Sequence, residues 1–175
     1  MEVRIFAGSV LDAPADAIVN AANTELRHGG GVAAAIARAA GPDLESESRA
    51  VGRCTLGEAV ATTAGRLPFR CVLHVPTIDY RAGGRRATAA ELRGGVAAAL
   101  RLAKARGCGS VALPILGSGI AGVPAGEACR RIAEGLEAAR AAGEAPDVVF
   151  VCAFSAEDGR AAEAVFGRAG GSPSN

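Results

Sequence analysis

The stretch Asn20-Ala-Ala-Asn23-Thr-Glu-Leu-Arg-His28-Gly29-Gly30-Gly31-Val32 constrains this chain more than any other. The apolar run Ala17-Ile18-Val19 precedes it, and the helix-forming segment from Val32 to Ala40 follows. A buried strand therefore ends in two carboxamides, and three glycines lead from it into a helix. Glycine has no Cβ to obstruct a ligand and tolerates positive φ. The helix start beyond it carries unpaired N–H groups and a partial positive charge, which favour anions. Strand, glycine turn and helix in that order make a phosphate cradle with side-chain amides beside it. A glycine-softened turn capped by asparagine is the rival reading. Three glycines alone satisfy it equally well, and the carboxamides at the strand end favour the ligand site.

The rest of the chain alternates in the same way. Val3 to Ala7 reads as a first strand closed by Gly8, and Ala17 to Ala21 as a second. After Gly41-Pro42 a helix runs over about Asp43–Val51, with proline where a missing N–H costs little. Glu58–Thr63 and Arg70–Pro76 read as strands, and Thr88–Arg106 as a long helix with apolar residues at helical spacing. Ser110–Leu116 is almost continuously apolar, which suits a strand buried on both faces. Pro124–Ala142 is helical, Asp147–Phe154 a strand and Ala156–Arg168 a last helix. These elements predict one α/β domain over residues 1–168, with helices on both faces of a mixed sheet. Residues 169–175, containing Gly-Gly-Ser-Pro-Ser, are expected to form a disordered tail.

A chain of 175 residues can build one substantial core. Only 3% of it is aromatic and Trp is absent, so Ala, Val, Leu and Ile must fill that core. Nineteen basic and eighteen acidic residues leave +1, which gives no general attraction to nucleic acid or membrane. Five cysteines without a C-x-x-C pair argue against a disulfide framework and a zinc ribbon. They read as small core residues of a reducing compartment. The first residues lack a signal-peptide pattern and no apolar run is long enough to span a bilayer. A soluble, cytoplasmic protein is the expectation.

A second glycine loop, Gly117-Ser118-Gly119-Ile120-Ala121-Gly122, follows the buried strand and precedes the helix at Pro124. Ligands of open α/β sheets bind outside the carboxyl ends of the strands, where both loops lie. Two facing rows of backbone N–H groups can grip a diphosphate from both sides. The same loop matches G-x-G-x-x-G, so an NAD-dependent dehydrogenase is a further reading. That fingerprint wants the first βα turn and an acidic residue at the next strand end. Here the loop is late, Glu137 falls mid-helix, and the next strand ends at Phe154-Ser155.

These segments together resemble the macrodomain family. The carrying residues are Asp16–Asn23, His28–Ile36, Leu73–Pro76, Leu113–Gly122 and the closing strand ending in Phe154. They stand in the family's order and cover nearly the whole chain. The resemblance implies a three-layer α/β/α sandwich with a central mixed, mostly parallel sheet that binds ADP-ribose. It places Asn23 on the distal ribose, Asn20 in support of the strand end, and Phe154 on the adenine. Gly29, Gly30, Gly31 and Val32 match its first diphosphate loop, and Ser118, Gly119, Ile120 and Gly122 its second. Ser9, Val10, Ala22, Pro114, Gly117 and Ala121 complete the ligand-binding set that it implies.

Three positions depart from the family pattern. Ser9 stands where an Asp usually accepts from the adenine amino group, with Asp12 as the rival acceptor in the same loop. Ala121 replaces an aromatic that packs on the distal ribose, and Ala33 replaces an Asp of one hydrolase subgroup. His28 is the candidate to orient or deprotonate a water, because imidazole titrates near neutral pH. His74, within a strand, reads as structural. Two histidines without clustered carboxylates predict no metal site. Arg81, Arg85 and Arg86 around Gly83-Gly84 read as a solvated basic loop, with contact to a phosphate or protein substrate as the alternative.

The resemblance thus implies a metal- and cofactor-independent mono-ADP-ribosyl hydrolase or O-acetyl-ADP-ribose deacetylase, with Asn23, Asn20 and His28 as its catalytic candidates. The alternative is a non-catalytic reader of ADP-ribosylated protein or free ADP-ribose-type nucleotide. The expected partners are ADP-ribose or a derivative and an ADP-ribosylated protein. Nucleic acid is expected only as an ADP-ribosylated substrate, membrane not at all, and the chain is expected to be a monomer.

Overall fold

Runs of β-branched and small apolar residues make the inner strands, because both faces of each must be covered. The computed structural model describes residues 1–167, and the tail expected over 169–175 lies outside them. The strands are β1 (Glu2–Ala7), β2 (Ala17–Asn23), β3 (Val60–Thr62), β4 (Cys71–Asp79), β5 (Arg85–Arg86), β6 (Ser110–Pro114) and β7 (Val148–Ala153). The helices are α1 (Gly31–Ala40), α2 (Pro42–Val51), α3 (Ala89–Ala105), α4 (Ala125–Ala141) and α5 (Ala156–Phe166). The sheet runs β1-β7-β6-β2-β4-β3, with β5 also pairing to β4. The pairs from β1 through β4 are parallel, whereas β3 and β5 run antiparallel to β4.

Strand alternation divides the core into two layers. Ala17 and Val19 of β2 face one cluster, which includes Leu92 and Val96 of α3, Ile132 of α4 and Phe166 of α5. Ile18 faces the other, with Ile36 of α1, Leu44 of α2 and Val72 of β4. The result is the expected three-layer α/β/α sandwich around a mixed, mostly parallel sheet.

With so few aromatics, tight backbone approach supplies the packing. A Cβ on Gly135 of α4 would lie 2.6 Å from Val96 Cβ, and one on Gly95 of α3 would lie 2.7 Å from Val75 Cγ1. Glycine in a helix interior costs about 1 kcal/mol relative to alanine. Here it lets α3 pack directly on α4 and β4.

Several boundaries differ from the sequence reading. The strand expected over Glu58–Thr63 keeps only Val60–Thr62, whereas β4 runs beyond Pro76 to Asp79. Pro76 is tolerated because it pairs with Ala22, where the β2–β4 register shifts before Asn23 meets Ile78. A missing donor costs little at such an irregularity. The two-residue β5 falls within the basic stretch that reads from sequence as a loop. No described helix is long and apolar enough to cross a membrane.

Candidate functional site

The carboxyl ends of β1, β7, β6, β2 and β4 together floor one cavity of about 800 Å³. Gly8, Ser9 and Val10 beyond β1 line one end with Cys152 and Phe154 of the β7 region and Asp158 of α5. Gly29–Val32 after β2 and Pro114, Ile115 and Gly117–Ala121 of the β6 region line the middle. Asn23, Thr77, Ile78 and Tyr80 line the other end. Four strand spacings of about 4.8 Å make that span about 19 Å. This volume lies within the usual range for small-molecule sites.

The middle of the cavity is built to receive an anion. Gly30 caps α1 in extended conformation and offers no side chain to satisfy the helix start. Gly31 follows at φ +57°, a left-handed value that favours glycine. Among the described residues the N–H groups of Gly30, Gly31 and Val32 make no hydrogen bond, and neither do those of Gly119, Ile120 and Ala121. The second loop is stiffened from within: Ser118 Oγ donates to Ile115 O at 2.8 Å, and Val123 N donates to Gly117 O at 2.9 Å. The loops approach one another above the cavity, where a Cβ on Gly30 would lie 3.2 Å from Ile120 Cδ1. Yet Ile120 itself is 64% exposed.

Asn23 lines the cavity with most of its carboxamide already engaged. Its Oδ1 accepts from the N–H groups of Glu25 and Arg27, both at 3.1 Å, and its Nδ2 donates to Arg27 O at 2.7 Å. One Nδ2 hydrogen is left for a ligand. Thus Asn23 fixes the turn that delivers the glycine loop.

Three predicted site residues are not part of the lining: Asn20, His28 and Gly122. Asn20 is fully buried inside β2, in register with His74 of β4. Its Nδ2 lies 3.0 Å from His74 Nδ1 and 3.4 Å from His28 Nδ1. His28 Nε2 meets Ser48 Oγ of α2 at 3.0 Å, and His74 Nε2 meets Thr62 Oγ1 at 2.8 Å. The two rings stack at 5.2 Å. An amide that donates to both Nδ1 atoms requires each imidazole to be neutral and protonated on Nε2. His28 therefore turns inward and ties the glycine loop to α2 and β2, because its polar partners lie in the core. Asn20 Oδ1 is buried without a partner among the described residues. Gly122 instead lies beside Arg86, whose guanidinium is 3.4 Å from where a Cβ would stand.

Burial pushes the His74 imidazole down to about 3, with neighbouring His28 a second cause. Burial also lowers His28, against a smaller upward pull from Glu45. An unfolded histidine takes up a proton near pH 6.5, whereas folded His74 does so only near pH 3. The unfolded state thus binds more protons across that window, so stability falls as pH drops through it and is level above about pH 7. His74 alone is expected to cost about 2–3 kcal/mol between pH 6.5 and 4.5. Urea unfolding across that range measures it, and a His74→Gln variant should give a shallower slope.

The remaining titratable groups limit the chemistry. All five cysteines are free and buried, and burial pushes the Cys152 thiol beside the cavity up to about 12. A thiol so shifted is no nucleophile at neutral pH. Arg81 pairs with Glu25 at 2.7 Å and Arg85 with Glu91 at 2.9 Å, so most of the basic loop is spent on ion pairs. Among the described residues no cluster of three metal-ligating side chains occurs. Tyr80, Asp158, Arg27 and Glu25 also line the cavity, outside the set that the sequence points to. Tyr80 was hidden by ending β4 at Pro76. Asp158 was legible only as the third residue of α5.

Fold and site define an α/β/α sandwich whose strand ends hold an elongated, anion-accepting cavity between two glycine loops. The chain belongs to the macro domain family, whose profile, described as Macro domain, matches residues 19–132. It is 47% identical over 131 residues to an uncharacterized protein of Mycobacterium tuberculosis, a match covering 74% of this chain and 35% of that protein. The chain thus spans about a third of the length of its mycobacterial relatives. It is 41% identical over 126 residues to the O-acetyl-ADP-ribose deacetylase of Citrobacter rodentium, covering 70% of this chain and 71% of that one. The Trypanosoma brucei macrodomain in complex with ADP-ribose superposes with a TM-score of 0.79 at 32% identity, covering 93% of this chain and 68% of that chain.

Proposed function

We propose that this chain binds ADP-ribose and hydrolyses the bond joining it to an acyl carrier, either a modified glutamate or aspartate or the acetyl group of O-acetyl-ADP-ribose. The observation that carries the reading is the pair of loops with unbonded N–H groups, Gly30–Val32 and Gly119–Ala121, which approach one another in the middle of a cavity whose strand ends span about 19 Å. Its relatives include the Citrobacter rodentium deacetylase and the Trypanosoma brucei macrodomain that holds ADP-ribose. The diphosphate lies between the two rows, the adenine on the ring of Phe154, and the distal ribose beside Asn23. A water held by the diphosphate and the Asn23 end attacks at the anomeric centre or the ester. Glu25, engaged by Arg81 at that end, is the acceptor available to orient it. His28 faces away, so positioning rather than an imidazole base supplies most of the effect.

One observation favours the reader instead: among the described residues no free imidazole or ionised thiol lines the cavity. Incubation with a protein ADP-ribosylated on glutamate and with O-acetyl-ADP-ribose separates the readings. Release of ADP-ribose from either substrate is the expected result. Tight binding of both without release assigns the reader.

A further inference from the structure

We infer that Asp158, with Ser9 as its donor partner, makes the β1/β7 end of the cavity selective for adenine over purines that carry a carbonyl at the same edge. This rests on the ADP-ribose reading above. Six residues form that end, and Phe154 dominates it with a ring that is 81% exposed. Such a ring is a flat platform on which any base can stack, so stacking by itself does not choose among bases. Selection must come from the polar side chains around it.

Besides the buried Cys152 thiol, those are Ser9 and Asp158. The Ser9 hydroxyl already accepts from Leu11 N at 3.2 Å, capping the short turn Val10–Asp12. What it still offers a ligand is its O–H, a donor. Asp158 is complementary. Its Oδ2 accepts from Ser155 N at 3.1 Å, while Asp158 N donates to Ser155 Oγ at 3.1 Å. Because Ser155 adjoins Phe154, this reciprocal cap fixes the carboxylate beside the ring. Oδ1 has no partner among the described residues, and the side chain is half-buried. Asp12 is exposed and does not line the cavity, so it is no rival acceptor.

One acceptor and one donor at a stacking ring describe a particular base edge. Adenine presents an amino donor flanked by ring-nitrogen acceptors, so its amino group meets Asp158 Oδ1 and a ring nitrogen takes the Ser9 proton. Hypoxanthine and guanine set a carbonyl oxygen against the carboxylate, losing the bond and adding repulsion. Ser9 does not leave the adenine end without an acceptor, because the acceptor comes from α5.

Calorimetric titration with ADP-ribose and its inosine analogue tests the assignment. The parent protein should prefer ADP-ribose about ten- to a hundredfold, the discrimination expected of a well-placed bidentate contact. In Asp158→Asn the amide oxygen can keep the cap on Ser155 while the NH₂ faces the base, so the preference should vanish or invert. A merely structural role for Asp158 would lower both affinities together and leave their ratio unchanged. Equal affinity of the parent for the two nucleotides overturns the inference without any variant. So does a parent-like ratio in Asp158→Asn. If the parent binds neither nucleotide, the ADP-ribose reading fails and this inference with it.

Discussion

Replacing Phe154 by alanine is expected to weaken ADP-ribose binding about ten- to a hundredfold while leaving thermal stability unchanged. Stacking of a base on an aromatic side chain contributes about 1–3 kcal/mol, and about 1.4 kcal/mol is one decade in affinity. The ring lies just past the end of β7 and is 81% exposed, so it contributes little to the core. A single exposed apolar ring is ordinary by itself, but this one lines the cavity. Phe154→Trp should retain binding, because any large flat ring serves. Titration with ADP-ribose together with a thermal melt checks both halves. A variant that binds like the parent would place the base elsewhere, and one that melts early would make the ring structural.

The second large effect is expected at Asn23. Its carboxamide makes three hydrogen bonds within the turn 23–27 and keeps one donor hydrogen for the ligand. Asn23→Ala removes all four functions. Loss of one orienting donor in a shielded site costs about 2–4 kcal/mol in a transition state, by analogy with oxyanion-hole donors. That corresponds to a fall in kcat of about 30- to 1,000-fold. Affinity should fall as well, but by less, because the loosened turn carries Gly29–Val32 with it. Asn23→Asp should be no milder. It sets an oxygen against the Arg27 carbonyl where Nδ2 now donates at 2.7 Å. Steady-state kinetics on O-acetyl-ADP-ribose separates kcat from KM. Unchanged kcat in Asn23→Ala would remove Asn23 from the reaction.

Much of this site can be read from local sequence, and what escapes reading is non-local. The strand, glycine turn and helix around Gly29–Val32 are consecutive, and so are β6, the second loop and α4, so their order alone predicts the facing cradles. Phe154 follows a strand end in the same way. His74 reads correctly as structural, whereas His28 misleads because side-chain direction depends on partners far along the chain. Asn20 meets His74 across 54 positions, and His28 meets Ser48 of α2 across 20. A histidine beside a glycine loop looks catalytic until its nitrogens are found bonded into the core. Pro76 looked like the end of β4, but the register shift at Ala22/Asn23 absorbs it, and the strand continues toward Tyr80. Asp158 lies four residues beyond Phe154, and only the wall that α5 makes beside the cavity brings it to the base end.

The central claim is that ADP-ribose spans the cavity with its diphosphate between the two glycine loops. One calorimetric comparison of ADP-ribose with AMP tests it directly, since AMP lacks the second phosphate and the distal ribose. The account predicts one ADP-ribose per chain, bound at least about tenfold more tightly than AMP, a gap of about 1.4 kcal/mol. Equal affinity for the two, or no heat with ADP-ribose, would contradict it.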